Sequence, residues 1–126
     1  MSKEISKLLK IVIFLDGLGC FIVGIGFLFF TEALMSFIEW PFSDFIFGQI
    51  IGITFLTYGI MNFLASRESE WDKVEIVLIS DTIFDFLGAI FMMWNAIQYN
   101  LSIYIWAISG LLMGFGIVYT FFFIKR

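Results

Sequence analysis

The chain has 126 residues, one domain's worth, of which 61% are apolar and 14% charged, with a mean hydropathy of +1.02 and a net charge of −4. A soluble domain of this size has no core large enough to hide that much hydrocarbon, so the lipid bilayer is the expected surrounding and nucleic acid is not an expected partner. One Cys and no His exclude a disulfide framework, a Cys/His metal site, a histidine-ligated haem and any imidazole-dependent triad, and no cofactor is expected.

A bilayer crossing takes about 20 mainly apolar residues. Four runs of that kind lie between the charge clusters, at 8–30, 45–65, 74–97 and 101–124. They predict an all-α membrane protein, a four-transmembrane-helix bundle in a single membrane domain over 1–126. The first run reads as a mature helix rather than a cleavable secretory signal, because it is too long, lacks a small-x-small exit and carries Asp16 in its middle. After it, segment 31–44, TEALMSFIEWPFSD, mixes apolar residues with Glu32 and Glu39. Leu34, Phe37, Ile38 and Trp40 suit a short interfacial helix that Pro41 stops. It reads as a membrane-anchoring elbow or as a lid over an outward opening. Between the second and third runs, RESEWDK is a short solvated charge run.

All seven basic residues fall in the N-terminus, that 67–73 loop and the C-terminus, on one side of a four-span chain. The positive-inside rule then gives a multi-pass protein of the cell membrane with both termini cytoplasmic. Six aromatic residues, Trp40, Trp71, Trp94, Tyr99, Tyr104 and Trp106, fall near the span boundaries, where an aromatic belt is expected.

The first and third runs share D-x-L-G, at Asp16–Gly19 and at Asp85–Gly88, and the second and fourth share Gly-Ile, at Gly59 and Gly116. The offsets are 69 and 57, and the longer first outer loop accounts for the difference. A 2+2 parallel pseudo-repeat about an axis along the membrane normal produces this pattern. Gly48, Gly52, Phe55, Gly59 and Asn62 form one stripe of the second run, and Gly110, Gly114 and Gly116 mark the fourth. Small residues let helix backbones approach closely in lipid, which suits packing within the bundle or a homo-oligomer contact.

Asp16, Asp81 and Asp85 each fall inside a span, where a lone ionised carboxylate costs several kcal/mol. Asp81 and Asp85, at i and i+4, share a face, and the same stripe continues through Gly88, Met92, Asn95 and Tyr99. At 1.5 Å per residue, Asp16 lies about 13 Å above Lys7, Asp81 about 12 Å above Lys73 and Asp85 about 18 Å above it. Tyr58 and Asn62 on the second run and Tyr119 and Thr120 on the fourth offer polar groups at the same depth. A pocket open to the cytoplasm and walled by these seven residues is the simplest arrangement that satisfies them. No buried Lys or Arg is available as counter-ion to the acids. They must therefore carry protons or neutralise a cation from outside, and the three physical options are a proton relay, a cation site and recognition of a cationic small molecule. The competing reading is a protonated carboxyl acting as interhelical glue. Cys20, one turn above Asp16, reads as a small core residue, and Gln49 as a helix–helix hydrogen bonder.

The four-span length, the long first outer loop, the glycine-spaced FGQIIGITFLTYGIMNFLASRES and the D-x-L-G of the third run resemble the DoxX-like grouping of small four-helix membrane proteins. In place of the basic residue expected at the head of that second helix the chain has Gln49. The resemblance implies the fold and, because some members are accessory subunits of redox enzymes, a partner membrane subunit. Small multidrug exporters also have four short helices with an acid in the first, but acids in the third are foreign to them. The sequence thus favours a transport or ion-coupling protein in which Asp16, Asp81 and Asp85 bind protons or a cation. The alternative is a non-transporting accessory or lipid/quinone-binding subunit. An enzyme is disfavoured, since only carboxylate or tyrosine acid–base chemistry is left to it.

Overall fold

The computed structural model describes residues 3–41 and 44–126; Met1, Ser2, Phe42 and Ser43 lie outside the described residues. It has five helices in chain order: α1 Lys7–Phe29, α2 Thr31–Phe37, α3 Phe45–Ser66, α4 Trp71–Tyr99 and α5 Ile103–Lys125. Four of them, all but α2, are long and apolar enough to cross a membrane, and the chain is a small multi-pass integral membrane protein. Local chemistry sets the helix ends. The Ser6 hydroxyl accepts from Leu9 N–H at 3.1 Å and the Asp44 carboxylate from Phe47 N–H at 3.3 Å, capping α1 and α3. Asn100 closes α4 in the left-handed region at φ 49°, a conformation that Asn tolerates better than most side chains.

The bundle is two antiparallel hairpins, α1 with α3 and α4 with α5; α3 and α4 touch far more sparsely. Glycines fix the first hairpin. Gly17 faces Gly59, and Gly24 faces Gly52, two helical turns further along. A Cβ on Gly24 would lie 2.5 Å from Leu56 N and 2.8 Å from Gly52 O, and one on Gly59 would lie 2.8 Å from Phe21 N. Backbone packs on backbone here, as it does where lipid removes the hydrophobic drive between helices.

In the second hairpin the offsets of 69 and 57 carry Gly17–Gly59 onto Phe86–Gly116, and a Cβ on Gly116 would meet the Phe86 ring at 3.2 Å. The pseudo-equivalent contact is therefore made, but with a ring filling the space that glycine leaves in the first hairpin. Gly110 and Gly114 face outward, with nothing within 4 Å of an added Cβ.

The seven basic residues gather at one end of the bundle, the basic end. The Lys3 ammonium donates to Arg126 O at 2.8 Å, Lys10 Nζ to Ser69 Oγ at 3.1 Å, and Arg126 pairs with Glu75 at 2.6 Å. The 67–73 segment is more than a solvated charge run. Ile5 N–H donates to Ser69 O and Trp71 N–H to Lys3 O, both at 2.9 Å, so the N-terminal strand-like stretch straps the loop. This lets α4 begin at Trp71 instead of the expected 74. The Trp71 ring is buried rather than placed in an aromatic belt, packing at 5.6 Å on Phe123, with the Arg126 guanidinium over it. Just inward, Ile5, Leu9, Ile13, Val74 and Leu78 form a dry plug with the Tyr119 ring.

At the opposite end α2 closes the bundle. Thr31 and Met35 are buried and face Gly48, and Ile38 and Trp40 pack on Ala96, Leu101 and Ile105. The Ser102 hydroxyl donates to Ile38 O at 2.7 Å. Glu39, in the left-handed region at φ 56°, turns the chain two residues before Pro41. The buried residues of this segment are therefore Thr31 and Met35, with Leu34, Ile38 and Trp40 half-buried, whereas Phe37 stays exposed.

Candidate functional site

Three turns in from the basic end, polar side chains from all four long helices meet above the plug. The burial stripe of α4 is Trp71, Val74, Leu78, Asp81, Asp85, Ala89 and Ala96, so the i, i+4 spacing does turn both acids inward. The stripe then departs from the expected polar seam. It runs on through Ala89 and Ala96, whereas Tyr99 is exposed and Asn95 donates to Phe91 O of its own helix at 2.8 Å. A straight α-helix advances 100° per residue, which carries a pure i+4 series off the buried face within a few turns.

The acids are in unlike surroundings. Asp16, 8% exposed, is fully engaged: the Tyr119 hydroxyl donates to its Oδ2 at 2.5 Å, and the Cys20 thiol to its Oδ1 at 3.5 Å. Tyr119, 0% exposed, thereby ties α5 to α1 across the bundle. Asp81 and Asp85 are 2% and 4% exposed, and Oδ2 of each is buried with no hydrogen-bond partner among the described residues. Asn62, 0% exposed, lies beside Asp81, yet neither its amide nitrogen nor its amide oxygen has a partner in bonding geometry. The three carboxyl groups are close enough to act on one another electrostatically. The amines of Lys10, Lys73 and Lys125 are turned to the basic end, on Ser69, on Glu68 and Glu70, and over the Phe121 ring.

Among the described residues no three His, Cys, Asp or Glu side chains stand close enough to hold a metal ion. What converges is a field of carboxyl groups with spare acceptor and donor capacity. Of the other residues the sequence pointed to, Thr120 spends its hydroxyl on Gly116 O of its own helix at 2.8 Å. Tyr58 sits to one side with its ring 4.8 Å from Phe84, within electrostatic reach of Asp81 and Asp85. Cys20, read from the sequence as a small core residue, contributes its thiol to Asp16 instead, and its i+4 spacing was the available signal.

The expected opening toward the basic end is not formed. Leu9, Ile13, Val74 and Leu78, all at 0% exposure, fill that route. Two grooves lie instead on the flanks. One, of about 380 Å³, runs between α1 and α5 beside Leu15, Gly110 and Gly114; the other, of about 540 Å³, runs between α3 and α4 beside Tyr58, Ser80 and Phe84. Neither is lined by the three acids themselves. Comparison of the chain with protein-family models, curated proteins and solved structures finds no match.

Proposed function

We propose that this membrane protein is an ion-coupling or transport protein of the cell membrane in which Asp81 and Asp85 exchange protons for a cation. The observation that carries this reading is the orphaned Oδ2 of both acids beside the orphaned amide of Asn62, with the amines of Lys10, Lys73 and Lys125 turned to the basic end. A buried acceptor left bare costs about 1–3 kcal/mol and a bare charge more, so each such oxygen has work for a proton or a bound cation. Asp16 has donors on both oxygens and serves as the anchor that keeps α1 and α5 together. In the resting state Asp81 and Asp85 carry protons. A cation arriving between them displaces one proton, and reprotonation releases the cation. The ligand geometry favours a cation bound by charge and shape over a chelated metal ion.

In proteoliposomes carrying a pH-sensitive dye, an imposed gradient of tetramethylammonium or Na⁺ is expected to drive proton movement. Asp85→Asn and Asp81→Asn should each reduce it by about tenfold or more, the cost of one lost charged contact, with helical content unchanged. Wild-type proton movement in the double variant would remove the proposal.

The termini lie on the cytoplasmic side in this reading, supported by the gathering of all seven basic residues at one end. In a Cys20→Ser background, a cysteine introduced at Ser69 should react with an impermeant maleimide only from the cytoplasm, and one at Asn100 only from outside. The reverse pattern would invert the orientation.

The outward-facing Gly110 and Gly114 beside an apolar groove favour a second reading, that of an accessory subunit whose partner helix covers this face. The DoxX-like resemblance points the same way. On that reading neutralising all three acids leaves partner association and behaviour unchanged.

A further inference from the structure

Both ends of the bundle are shut, so a guest of Asp81 and Asp85 needs a third route. Toward the basic end the way is filled by Leu9, Ile13, Val74 and Leu78, and at the opposite end α2 and Trp40 pack over Leu101 and Ile105. The flank where α3 meets α4 only sparsely is different. An open groove of about 540 Å³ runs along it. Ile83, Leu87 and Phe91 on its rim are more than half exposed on a membrane-facing surface. At its floor are the Ser80 and Tyr58 hydroxyls and the Phe84 ring. Ser80 and Phe84 precede Asp81 and Asp85 on α4, and Tyr58, which also lines the groove, lies within electrostatic reach of both acids.

The chemistry of that floor is selective. Phe84 stands edge-on to Phe55, with ring centroids 5.7 Å apart at 90°, and lies 4.8 Å from the Tyr58 ring. Clustered aromatic faces beside uncompensated carboxyl groups attract an organic cation with a diffuse charge. The apolar rim favours a molecule already dissolved in the bilayer over a hydrated inorganic ion.

We propose that the α3–α4 groove is a lateral portal through which a lipophilic organic cation passes from the membrane to Asp81 and Asp85. This rests on the reading of those acids as a cation site and names its substrate class.

The test is equilibrium binding of tetraphenylphosphonium to the purified full chain in lipid nanodiscs, with uncharged triphenylphosphine oxide as the comparator. Wild type should bind the cation and not the comparator, more weakly as pH falls. Asp85→Asn should lose about tenfold or more in affinity, and Ser80→Phe, which fills the groove without touching the acids, about as much. Ser80→Phe should keep the wild-type helical content, so that its lost binding reports a blocked groove rather than a lost fold. Should Ser80→Phe fail to fold, Leu87→Trp obstructs the same groove from its membrane-facing rim. If both groove variants that fold bind tetraphenylphosphonium like wild type while Asp85→Asn does not, the portal is wrong and the acid site stands. If Asp81→Asn and Asp85→Asn bind like wild type, the acid site itself falls, and the portal with it. Equal binding of the uncharged comparator would reduce the groove to a lipid contact and overturn the choice of a cation.

Discussion

Gly24→Ala is expected to lower stability by about 2–3 kcal/mol, at the upper end of what overpacking costs, and Gly24→Leu to prevent assembly of the α1–α3 hairpin. The added methyl would sit 2.5 Å from Leu56 N and 2.9 Å from Leu56 Cα. These are backbone atoms, so no rotamer change relieves the clash, and α1 must move off α3 along its whole length. Gly52→Ala and Gly59→Ala should behave alike, since their Cβ atoms would meet Leu28 N and Phe21 N at 2.8 Å. Gly110→Ala and Gly114→Ala provide the contrast. With nothing within 4 Å, they should be neutral or should stabilise by up to about 1 kcal/mol through helix propensity. Reversible unfolding in mixed SDS–maltoside micelles, followed by Trp fluorescence, reads all five. A Gly24→Ala protein within about 0.5 kcal/mol of wild type, the range of an ordinary surface change, would show that the hairpin is not backbone-packed.

The second large effect has the opposite sign. Replacing Asp81 and Asp85 together by Val should raise stability by about 1–4 kcal/mol, the range seen when buried ionisable groups give way to apolar ones, while abolishing proton coupling. The reason is geometric: Oδ2 of each acid has no hydrogen-bond partner among the described residues, so the substitution removes a desolvated polar atom that the fold leaves unsatisfied. Tyr119→Phe separates this from a glue role. It deletes the 2.5 Å hydrogen bond to Asp16 and leaves the Asp16 Oδ2 without its donor, which should cost about 1.5–3 kcal/mol. The same unfolding assay measures both. A double Val variant less stable than wild type would mean that Asp81 and Asp85 hold helices together, and the coupling proposal would lose its main support.

The contrast between these acids could not be read from the chain. Asp16 and Asp85 head the same D-x-L-G, yet one is saturated with donors and the other is not. The difference lies in which helix stands opposite: α5 brings Tyr119 to Asp16, whereas the counterpart of Tyr119 under the 57-residue offset, Asn62, stays unbonded beside Asp81. Likewise the Gly48, Gly52, Gly59 series and the Gly110, Gly114 pair look alike as text, but the first meets another helix and the second faces outward. Tyr58 and Thr120 lie at the depth expected for the polar layer, but depth says nothing of direction, and Thr120 bonds within its own helix.

By itself the sequence determined the number and length of the crossings, because uninterrupted apolar runs between charges answer directly to the thickness of the hydrocarbon layer. It also determined the gathering of basic residues at one end and the shared inward face of Asp81 and Asp85, which follow from four-fold crossing and helical periodicity. Only the tertiary structure decided the α1–α3 glycine register, the Trp71 start of α4, the plug that seals the basic end and the pairing of Asp16 with Tyr119 and Cys20. Those depend on the rotation of each helix about its axis and on the identity of its neighbour. In lipid both are set by contact between surfaces far apart in the chain, and no local periodicity encodes them.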